Sequence, residues 1–368
     1  MIRILQMIGS LNMGGSQTTM MNIYRNIDRT KIQFDFVLDH PKETYFAEEA
    51  KSLGAKIYTM PGFHGTNAGE IKRDWNNFFY LHPEYKVLHS HVRSYASLYL
   101  PIATAHGVKT VIHSHSTSAG SGFSALVKEM MQRPLKKQAD VLMACSAEAG
   151  NWLFGERACK GKNFVIMPNS VDTKLYGINN EVRKKYREEL GLEGKYVVGH
   201  VGRLHESKNH GFLINAFFEL HESNPNARLL LVGDGELRGD IEQKISALGI
   251  RDSVVMTGSR KDVPSLMQAM DVFAFPSVWE GMPTTVVEAQ AAGLPCFVSD
   301  HVTQEAGVTD LIHWLPIDDA RVWAHELSRQ EPKRDVRDQI KKAGYDVEAA
   351  AEKLCRIYMK LWREAQQQ

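Results

Sequence analysis

Short apolar segments alternate with helical patterns along almost the whole chain, and this alternation restricts the fold more than any other feature. In the first half the apolar segments are IRILQMI, IQFDFVLD, YKVLHSHV, KTVIHSHS, DVLMACS and NFVIMPNSVD. In the second half they are KYVVGHVGRL, ARLLLVGDGEL, DSVVMTGSR, DVFAFPS and LPCFVSD. Strands that alternate with helices are typical of parallel sheets covered by helices. The sequence therefore predicts an α/β fold of doubly wound parallel sheets, which bind ligands beyond the carboxyl ends of their strands.

The two series of strands are separated by a highly charged segment, NNEVRKKYREEL, at residues 179–190. Its lack of a core-forming face indicates a linker or an exposed connecting helix. A chain of 368 residues is long enough for two domains. We predict Rossmann-like domains over residues 1–175 and 176–346. The final segment, 347–368, is predicted to form a helix whose apolar stripe docks on another element.

Composition excludes several classes of function. The formal net charge of +1 gives no general electrostatic reason to bind nucleic acid. The four cysteines show no metal-type spacing, which favours a reduced cytosolic protein over a disulfide scaffold. The first residues lack the apolar core of a signal peptide, and no apolar run approaches the roughly 20 residues that span a bilayer. We expect a cytoplasmic protein, at most peripheral to the inner face of a membrane.

The segment SVWEGMPTTVVEAQAAGLP carries an E-x7-E element, in which seven residues separate Glu280 and Glu288. Pro283 is expected near the start of a helix and Gly293 just after its end. The free N–H groups at that helix start would form an anion site. Carboxylates on either side could accept from hydroxyls at both ends of a nucleotide sugar. The alternative is that Glu280 caps the helix and Glu288 is a solvated surface residue.

A second segment, GHVGRLHESKNHGF, favours the anion-binding interpretation. It carries Arg203 and Lys208 between a predicted strand and a helix that begins near His210. Arginine offers a planar fork for phosphate oxygens and lysine a mobile charge, so the pair suits a leaving diphosphate. In isolation, two such side chains in a loop would more often be solvated.

Glycines follow the first predicted strand in NMGGSQ, where Gly14 and Gly15 would let a ligand approach the backbone. Neither this loop nor GDGELRG matches GxGxxG, since Arg238 stands at the place of the third glycine in the latter. A hydride-transfer function therefore loses its main support.

No metal site is expected. The chain contains no Asp-x-Asp sequence, and its two His-x-His pairs, His89/His91 and His113/His115, stand near predicted strand ends. Such pairs could bind a metal, but strand-end histidines are more commonly hydrogen-bonded to the backbone.

With these motifs in place, the sequence resembles the retaining GT-B glycosyltransferases of family 4, the sucrose-synthase-like group, over nearly its whole length. Within that group it is most similar to bacterial exopolysaccharide and capsule glycosyltransferases. The resemblance is carried by NMGGSQ, VIHSHSTS, IMPNSVD, GHVGRLHESKNH, LLLVGDGELR, VVMTGSRKDV and FPSVWEGMPTTVVEAQAAGLP. The serine of IMPNSVD, Ser170, stands where the family more often has glycine, which matters only if that turn needs a positive φ.

The resemblance implies a role for each matching residue. Arg203 and Lys208 would bind the donor diphosphate, and Glu288 the ribose. His115 would lie beside the donor sugar and the acceptor, with His113 as the less favoured candidate. The implied catalytic residues are Glu280, Arg203, Lys208 and His115. The implied donor-binding residues are Gly14, Gly15, Arg203, Lys208, Ser259, Arg260, Glu280, Gly281, Met282, Pro283, Thr284 and Glu288, of which Ser259 and Arg260 would lie near the nucleobase.

The resemblance also implies the reaction. A hexose or N-acetylhexosamine would move with retention from a nucleotide sugar, expected to be a UDP-sugar, to a saccharide or lipid-linked acceptor. No cofactor and no metal are expected, because the cations and helix dipoles would neutralise the diphosphate. The two domains would face each other across a cleft, and the C-terminal helix would cross back to the first domain.

Two other functions remain open at this stage. One is a sugar-nucleotide epimerase or phosphorylase of the same fold, although neither signature is visible in the sequence. The other is a non-catalytic sugar-binding protein, which would not need the arginine and lysine. The segment VKEMMQRPLKKQAD, residues 127–140, mixes apolar and basic side chains. It could lie on an anionic membrane surface, or it could be an ordinary helix and loop with a solvated face.

Overall fold

The computed structural model describes residues 1–12, 14–40, 45–116 and 122–367. Two quoted motifs fall partly outside these residues, at Met13 of NMGGSQ and at Thr117 and Ser118 of VIHSHSTS. The chain forms two compact units. The first unit comprises Met1–Ser170 with Gly344–Gln368, and the second comprises Val171–Ala343. The sequence pattern places the two boundaries a few residues later, after residues 175 and 346.

The described helices and strands alternate as the sequence predicts. The strands are β1 Ile2–Met7, β2 Ile32–Leu38, β3 Ile57–Thr59, β4 Val87–Ser90, β5 Lys109–Ser114, β6 Val141–Ala144, β7 Phe164–Ile166, β8 Tyr196–Val201, β9 Ala227–Val232, β10 Val254–Met256, β11 Val272–Phe275, β12 Cys296–Ser299 and β13 Ile312–Leu315. The helices are α1 Gly15–Asn26, α2 Ala47–Ser52, α3 Ala68–Leu81, α4 Leu100–Ala105, α5 Gly122–Gln132, α6 Leu135–Gln138, α7 Ala147–Phe154, α8 Glu156–Cys159, α9 Thr173–Tyr176, α10 Asn180–Glu189, α11 His210–Ser223, α12 Arg238–Ala247, α13 Val263–Ala269, α14 Thr284–Ala291, α15 Ala320–Leu327, α16 Arg337–Lys342 and α17 Val347–Gln366.

The first unit is built on a parallel sheet with the order β3-β2-β1-β4-β5-β6-β7. Every residue of β2 is buried, as expected for a parallel strand covered on both faces. Helices α1 and α17 cover one face, where Leu354 and Tyr358 of α17 join the core around Ile4 and Phe34. The C-terminal helix therefore packs on the first unit, which confirms its predicted return to the N-terminal sheet.

The second unit repeats this plan with a parallel sheet of order β10-β9-β8-β11-β12-β13. Its core includes Val198, Phe217, Leu229 and Trp323, all fully buried. In both sheets the strand order reverses beside the first strand, between β1 and β4 and between β8 and β11. Parallel α/β sheets bind ligands at such switch points, beyond the carboxyl ends of the strands. The predicted α/β fold class is confirmed.

The charged segment before β8 is a helix, not a linker. Helix α10 has no buried residue along its length, as the sequence indicates. It is nevertheless fixed to the second unit, because Arg187 Nη2 lies 2.6 Å from Asp271 Oδ2 and Arg183 bonds the same carboxylate. Among the described residues, no helix combines the length and the apolar character needed to cross a membrane.

Candidate active site

The lysine and the first glutamate singled out in the sequence meet in the second unit. Lys208 Nζ lies 2.6 Å from Glu280 Oε1, and both side chains are about 15% exposed or less. The same ammonium group lies 4.6 Å from the centre of the Phe275 ring, within the range of a cation–π interaction. The lysine is thus held in place by a carboxylate and an aromatic face at the mouth of the sheet.

The sheet topology explains this meeting. Lys208 follows β8 and Glu280 follows β11, and these two strands are neighbours at the switch point. The backbone N–H of Val278 donates to the carbonyl of Ser207 at 2.8 Å, which ties the two loops together. Because both strands are parallel, both loops leave the sheet at the same edge.

A glycine fixes the course of the first of these loops. Gly233, which follows β9, has a φ of 139°, and a Cβ atom there would lie 2.0 Å from the Gly202 carbonyl oxygen. Only glycine allows the loops after β8 and β9 to pass so closely. This contact positions the backbone that leads to Arg203.

Helix α14 begins at Thr284 and Pro283 is its N-cap, so the proline stands one position earlier than a first-turn residue. No side chain caps this helix start, which leaves N–H groups and the positive end of the dipole directed out of the helix. Gly293, with a φ of 75°, ends the helix as predicted. The alternative that Glu280 caps the helix is therefore wrong.

The alternative that Glu288 is solvated is also wrong. Glu288 is 9% exposed and bonded to the hydroxyl of Tyr176 from α9. Burial raises the pKa of this carboxyl to about 7, although the Tyr176 hydrogen bond partly offsets the rise. Tyr176 is itself anchored, because its carbonyl accepts from the amide of buried Gln268 at 3.0 Å.

The remaining donor-site candidates of the second unit are less tightly held. Arg203 is 71% exposed, and its Nη2 lies 3.2 Å from Glu236. Ser259 is exposed, and Arg260 pairs with Asp262 at 2.6 Å, which lowers the pKa of that carboxyl. Gly281 is exposed, Met282 and Thr284 are half-buried and Pro283 is buried, and a Cβ at Gly281 would meet nothing within 4 Å. The structure thus leaves the Arg203 side chain largely open to solvent.

In the first unit, Gly14 and Gly15 lie at the start of α1, beyond the carboxyl end of β1. Gly14 is the N-cap and no side chain caps the helix. A Cβ at Gly15 would meet nothing within 4 Å, whereas one at Gly14 would contact the Gln17 side chain at 2.5 Å. The open space at Gly15 suits a ligand approach, and the structure shows no steric reason for glycine at that position.

The four histidines form one stacked cluster at the carboxyl ends of β4 and β5. The ring centres of His113 and His115 are 3.9 Å apart, those of His89 and His91 are 4.2 Å apart, and His91 Nδ1 lies 2.8 Å from His115 Nε2. His91 also contacts Gln6, and His89 Nδ1 contacts the hydroxyl of Tyr358 at 2.6 Å. Backbone contact to these rings is limited in the described structure: the hydrogen bonds of His89, His91 and His115 go to side chains, and the Met167 backbone interacts with His113.

Burial keeps these imidazoles neutral. It lowers the pKa of His89 and of His115 to about 3, helped at His115 by the nearby Arg93 charge. The pKa values of His91 and His113 also lie well below the ordinary value, because of burial and of the neighbouring histidines. His115, half-buried, is the more accessible of the two candidates in HSHS, and His113 is 3% exposed.

Sequence reasoning missed three residues that shape these sites. Tyr176 orients Glu288 from a helix whose sequence carries no local signal for that contact. Trp279 is a 55% exposed aromatic side chain next to Glu280, and its place beside the first glutamate of the E-x7-E element could have drawn attention. Tyr358 of α17 reaches the histidine cluster, which only the return of the last helix reveals. Ser170 has no positive φ, so its departure from glycine needs no strained turn.

Two Rossmann-like α/β units define a protein of the GT-B fold class. In each unit a helix near the switch point begins at an N-cap residue that makes no side-chain capping hydrogen bond. Residues 13–175 match the family described as Glycosyltransferase Family 4, and residues 182–347 match Glycosyl transferases group 1. The chain is 31% identical to EpsF of Bacillus subtilis, whose name describes it as a glycosyltransferase, over 97% of this chain and 96% of that protein. The chain belongs to the family 4 glycosyltransferases, and it is a glycosyltransferase enzyme.

Two further similarities are informative. A UDP-Gal:alpha-D-GlcNAc-diphosphoundecaprenol alpha-1,3-galactosyltransferase of Escherichia coli is 30% identical over 59% of this chain and 58% of that protein. The crystal structure of HepE from Anabaena in complex with UDP and glucose has a TM-score of 0.77 at 19% identity, over 98% of this chain and 100% of that chain. The second similarity shows the fold alone. The predicted family, fold class and enzyme class are confirmed.

Proposed function

We propose that this glycosyltransferase transfers a hexose or N-acetylhexosamine, with retention, from a UDP-sugar to a saccharide or lipid-linked acceptor in exopolysaccharide-type biosynthesis. The observation that carries the proposal is the meeting of Lys208 with Glu280 beside the uncapped start of α14. A diphosphate needs cations and N–H donors, and a sugar needs hydroxyl acceptors. This one edge of the second sheet offers all three.

Each part of the donor has a partner on that edge. The diphosphate would lie against Lys208, Arg203 and the first N–H groups of α14, and Glu280 would accept from hydroxyls of the sugar. The diol of the ribose would donate to Glu288, whose oxygens are oriented by Tyr176. Ser259 and Arg260 would lie beside the nucleobase.

Catalysis would be chiefly electrostatic. As the bond to the sugar breaks, negative charge grows on the leaving diphosphate, and fixed cations stabilise that charge more than they stabilise the bound donor. The leaving diphosphate would accept the acceptor's proton on the same face, so that the configuration is retained. Gly14, Gly15 and the neutral His115 would contribute from the first unit. No metal is needed at the diphosphate if these groups supply its neutralising charge.

The names of two relatives support the donor and acceptor classes. The Escherichia coli enzyme uses a UDP-sugar and a diphosphoundecaprenol acceptor, and HepE was crystallised with UDP-glucose. For this chain we propose UDP as the nucleotide and a lipid-linked or free saccharide as the acceptor. We also propose that the enzyme acts in the cytoplasm, at the inner face of the membrane.

The surface of the first unit supports membrane contact. On α5, Leu126 is 52% and Met130 is 59% exposed, and Lys136 and Lys137 of α6 are exposed nearby. Apolar side chains flanked by lysines are suited to an anionic interface. Cosedimentation with vesicles of anionic phospholipid should fall when both lysines become glutamine. No cosedimentation of the wild type would contradict this contact.

The donor proposal is tested by calorimetric titration of UDP in the presence of EDTA. We expect binding by the wild type and by Lys185→Ala, an exposed lysine on α10, and strongly weakened binding by Lys208→Ala and Glu288→Ala. A subsequent screen of UDP-sugars would identify the sugar, and NMR of the product anomer would show retention or inversion. Failure of the wild type to bind UDP, GDP and ADP would refute the nucleotide-sugar proposal.

A further inference from the structure

Donor chemistry gives a role to His115 but does not explain the other three histidines of the stacked cluster in the first unit. His89 belongs to β4 and His91 follows it, while His113 belongs to β5 and His115 follows that strand. The register pairs His89 with Val111, so that all four side chains leave the same face of the sheet. Parallel pairing of two His-x-His segments thus concentrates eight ring nitrogens in one buried volume.

Within the part of the chain that the structure describes, several of these nitrogens have no hydrogen-bond partner. They are His89 Nε2, both nitrogens of His113 and His115 Nδ1. The Met167 backbone and the Asn169 side chain lie near His113 and His115 without reaching acceptable hydrogen-bond geometry. A neutral imidazole always carries one N–H and one lone pair. A buried group left without a partner is costly and calls for an occupant such as a water molecule or an ion.

The spacing of the nitrogens fits a metal ion. One ring nitrogen from each of His89, His91 and His113 can be chosen so that all three lie within 4.8 Å of one another. A point equidistant from three atoms at that spacing lies at most about 2.8 Å from each, and zinc–nitrogen bonds are about 2.0–2.1 Å. Rotations of the rings that move each nitrogen by less than about 1 Å would therefore form the bonds.

The surroundings already resemble those of metal ligands. The hydroxyl of Tyr358 holds His89 Nδ1 at 2.6 Å, which leaves Nε2 to face the cluster. Gln6 Oε1 lies 3.2 Å from His91 Nε2, which would leave Nδ1 for the ion. Ligating histidines usually have the second nitrogen fixed in this way.

We propose that His89, His91 and His113 bind a divalent transition-metal ion of the zinc class, through His89 Nε2, His91 Nδ1 and one nitrogen of His113. Three imidazoles favour zinc, cobalt or nickel over magnesium or calcium. His91 Nδ1 would exchange its hydrogen bond with His115 for the ion. The site would join β4 and β5 and, through Tyr358 and Gln6, α17 and β1. The site is separate from the diphosphate contacts proposed in the second unit, so UDP binding can remain insensitive to EDTA.

Metal analysis of the full chain tests the proposal. The protein would carry no histidine tag, would be produced with added zinc or cobalt salts and would then be dialysed against metal-free buffer. We expect about one zinc per chain, and with cobalt the visible absorption of tetrahedral Co²⁺. His113→Phe and His89→Phe should lose the ion. His64 is an exposed histidine of the same unit, and His64→Ala should keep the ion. His115→Ala should also keep it, because the hydrogen bond between His115 and His91 would no longer compete with the ion.

The thermal shift supplies a second measurement that separates metal loss from misfolding. Added zinc should raise the unfolding temperature of the wild type and of His64→Ala, since an ion that binds the folded state stabilises it by mass action. The same addition should not shift His113→Phe. Phenylalanine fills a similar volume without a buried N–H, so that variant should fold. Equal metal content in the wild type and His113→Phe, or no metal in either, would overturn the proposal, and loss of the ion from His115→Ala would overturn the ligand set.

Discussion

Replacing Glu288 by glutamine should remove a pH-dependent loss of stability from the second unit. The carboxyl group is buried between α14 and α9, and its pKa is raised from an ordinary 4.5 to about 7. The folded chain therefore holds this proton up to about pH 7, whereas the unfolded chain releases it near 4.5. Between these values the folded state binds more protons, so the free energy of unfolding falls as the pH rises. The stabilisation is complete below pH 4.5 and is lost as the pH passes through 7.

The size of the effect follows from the shift in the pKa. Each pKa unit corresponds to about 1.4 kcal/mol, so a fully ionised Glu288 costs about 3 kcal/mol relative to its protonated form. Over an accessible interval, from about pH 5.5 to about pH 8, the linkage relation gives about 2 kcal/mol. For a domain of this size that corresponds to roughly 4–8 °C in unfolding temperature. Glutamine is neutral at every pH and has nearly the same shape.

Urea denaturation of the wild type and Glu288→Gln across that pH interval measures the effect. Other groups titrate in both proteins, so the informative quantity is the difference between their free energies of unfolding. This difference should increase in favour of the variant by about 2 kcal/mol from the acid end to the alkaline end of the interval. Glu222→Gln, which changes an exposed glutamate on α11, should show no such trend.

A difference that stays constant with pH would refute the argument that burial raises the pKa of Glu288. Tyr176→Phe provides a second check, because the hydroxyl of Tyr176 is the group that opposes the rise. Without that hydrogen bond the pKa of Glu288 should be higher still, so the fall in stability should extend to a higher pH. Helix α14 packs against α9, β12 and the 3₁₀ turn at residues 304–306, and the titratable residues of those elements and of the α9 cap are Tyr176, Lys174, Asp172, Cys296 and Glu305. Among them, Tyr176 is the group identified as shifting the pKa of Glu288.

Two further predictions concern the loops of the second unit. Glu280→Gln should weaken binding of a UDP-sugar by roughly tenfold, or about 1.4 kcal/mol, and should weaken binding of UDP much less. The reason is that Glu280 is proposed to contact the sugar. Equal losses of affinity for the two ligands in calorimetry would contradict that role. Gly233→Ala should cost more than about 3 kcal/mol in urea denaturation, since its Cβ would clash with the Gly202 carbonyl at a strained φ. Gly239 lies in α12, and a Cβ atom there would meet nothing within 4 Å, so Gly239→Ala should stabilise the protein by about 0.5–1 kcal/mol. A similar loss of stability in both variants would refute the steric argument.

Most strands could be predicted from sequence, including the short edge strands β7 and β10, but the edge strands β3 and β13 could not. Strand β2 is a continuous apolar run because both faces of a parallel sheet are covered. Strand β3 has three residues and β13 four, each lies at a sheet edge, and neither is fully buried. Each of these two strands also contains a polar residue, Thr59 in β3 and His313 in β13, so the short apolar pattern does not distinguish the segment from a loop. Its pairing is set by the strand beside it.

The site was predictable in its chemistry but not in its pairings. The positions of Lys208 and Glu280 at strand ends follow from the pattern, but their contact depends on β8 lying beside β11. That order is a property of the sheet topology. The burial of Glu288 depends on Tyr176, more than a hundred residues earlier in the chain. The histidine cluster requires the register of β4 against β5, which the spacing within each His-x-His pair does not contain.

The two switch points differ in charge for a physical reason. In the second unit the charged side chains beyond the strand ends are paired, as Lys208 is with Glu280. A diphosphate can displace Glu280 from Lys208 or join the pair, so no additional protein charge has to be buried. In the first unit the histidines are neutral, because desolvation makes a buried imidazolium too costly. Neutral nitrogens cannot neutralise a diphosphate, but they can accept from hydroxyls or bind a metal ion. We therefore propose the second unit for the diphosphate and the first unit for a metal ion, because charged side chains suit the former and neutral imidazoles can ligate the latter.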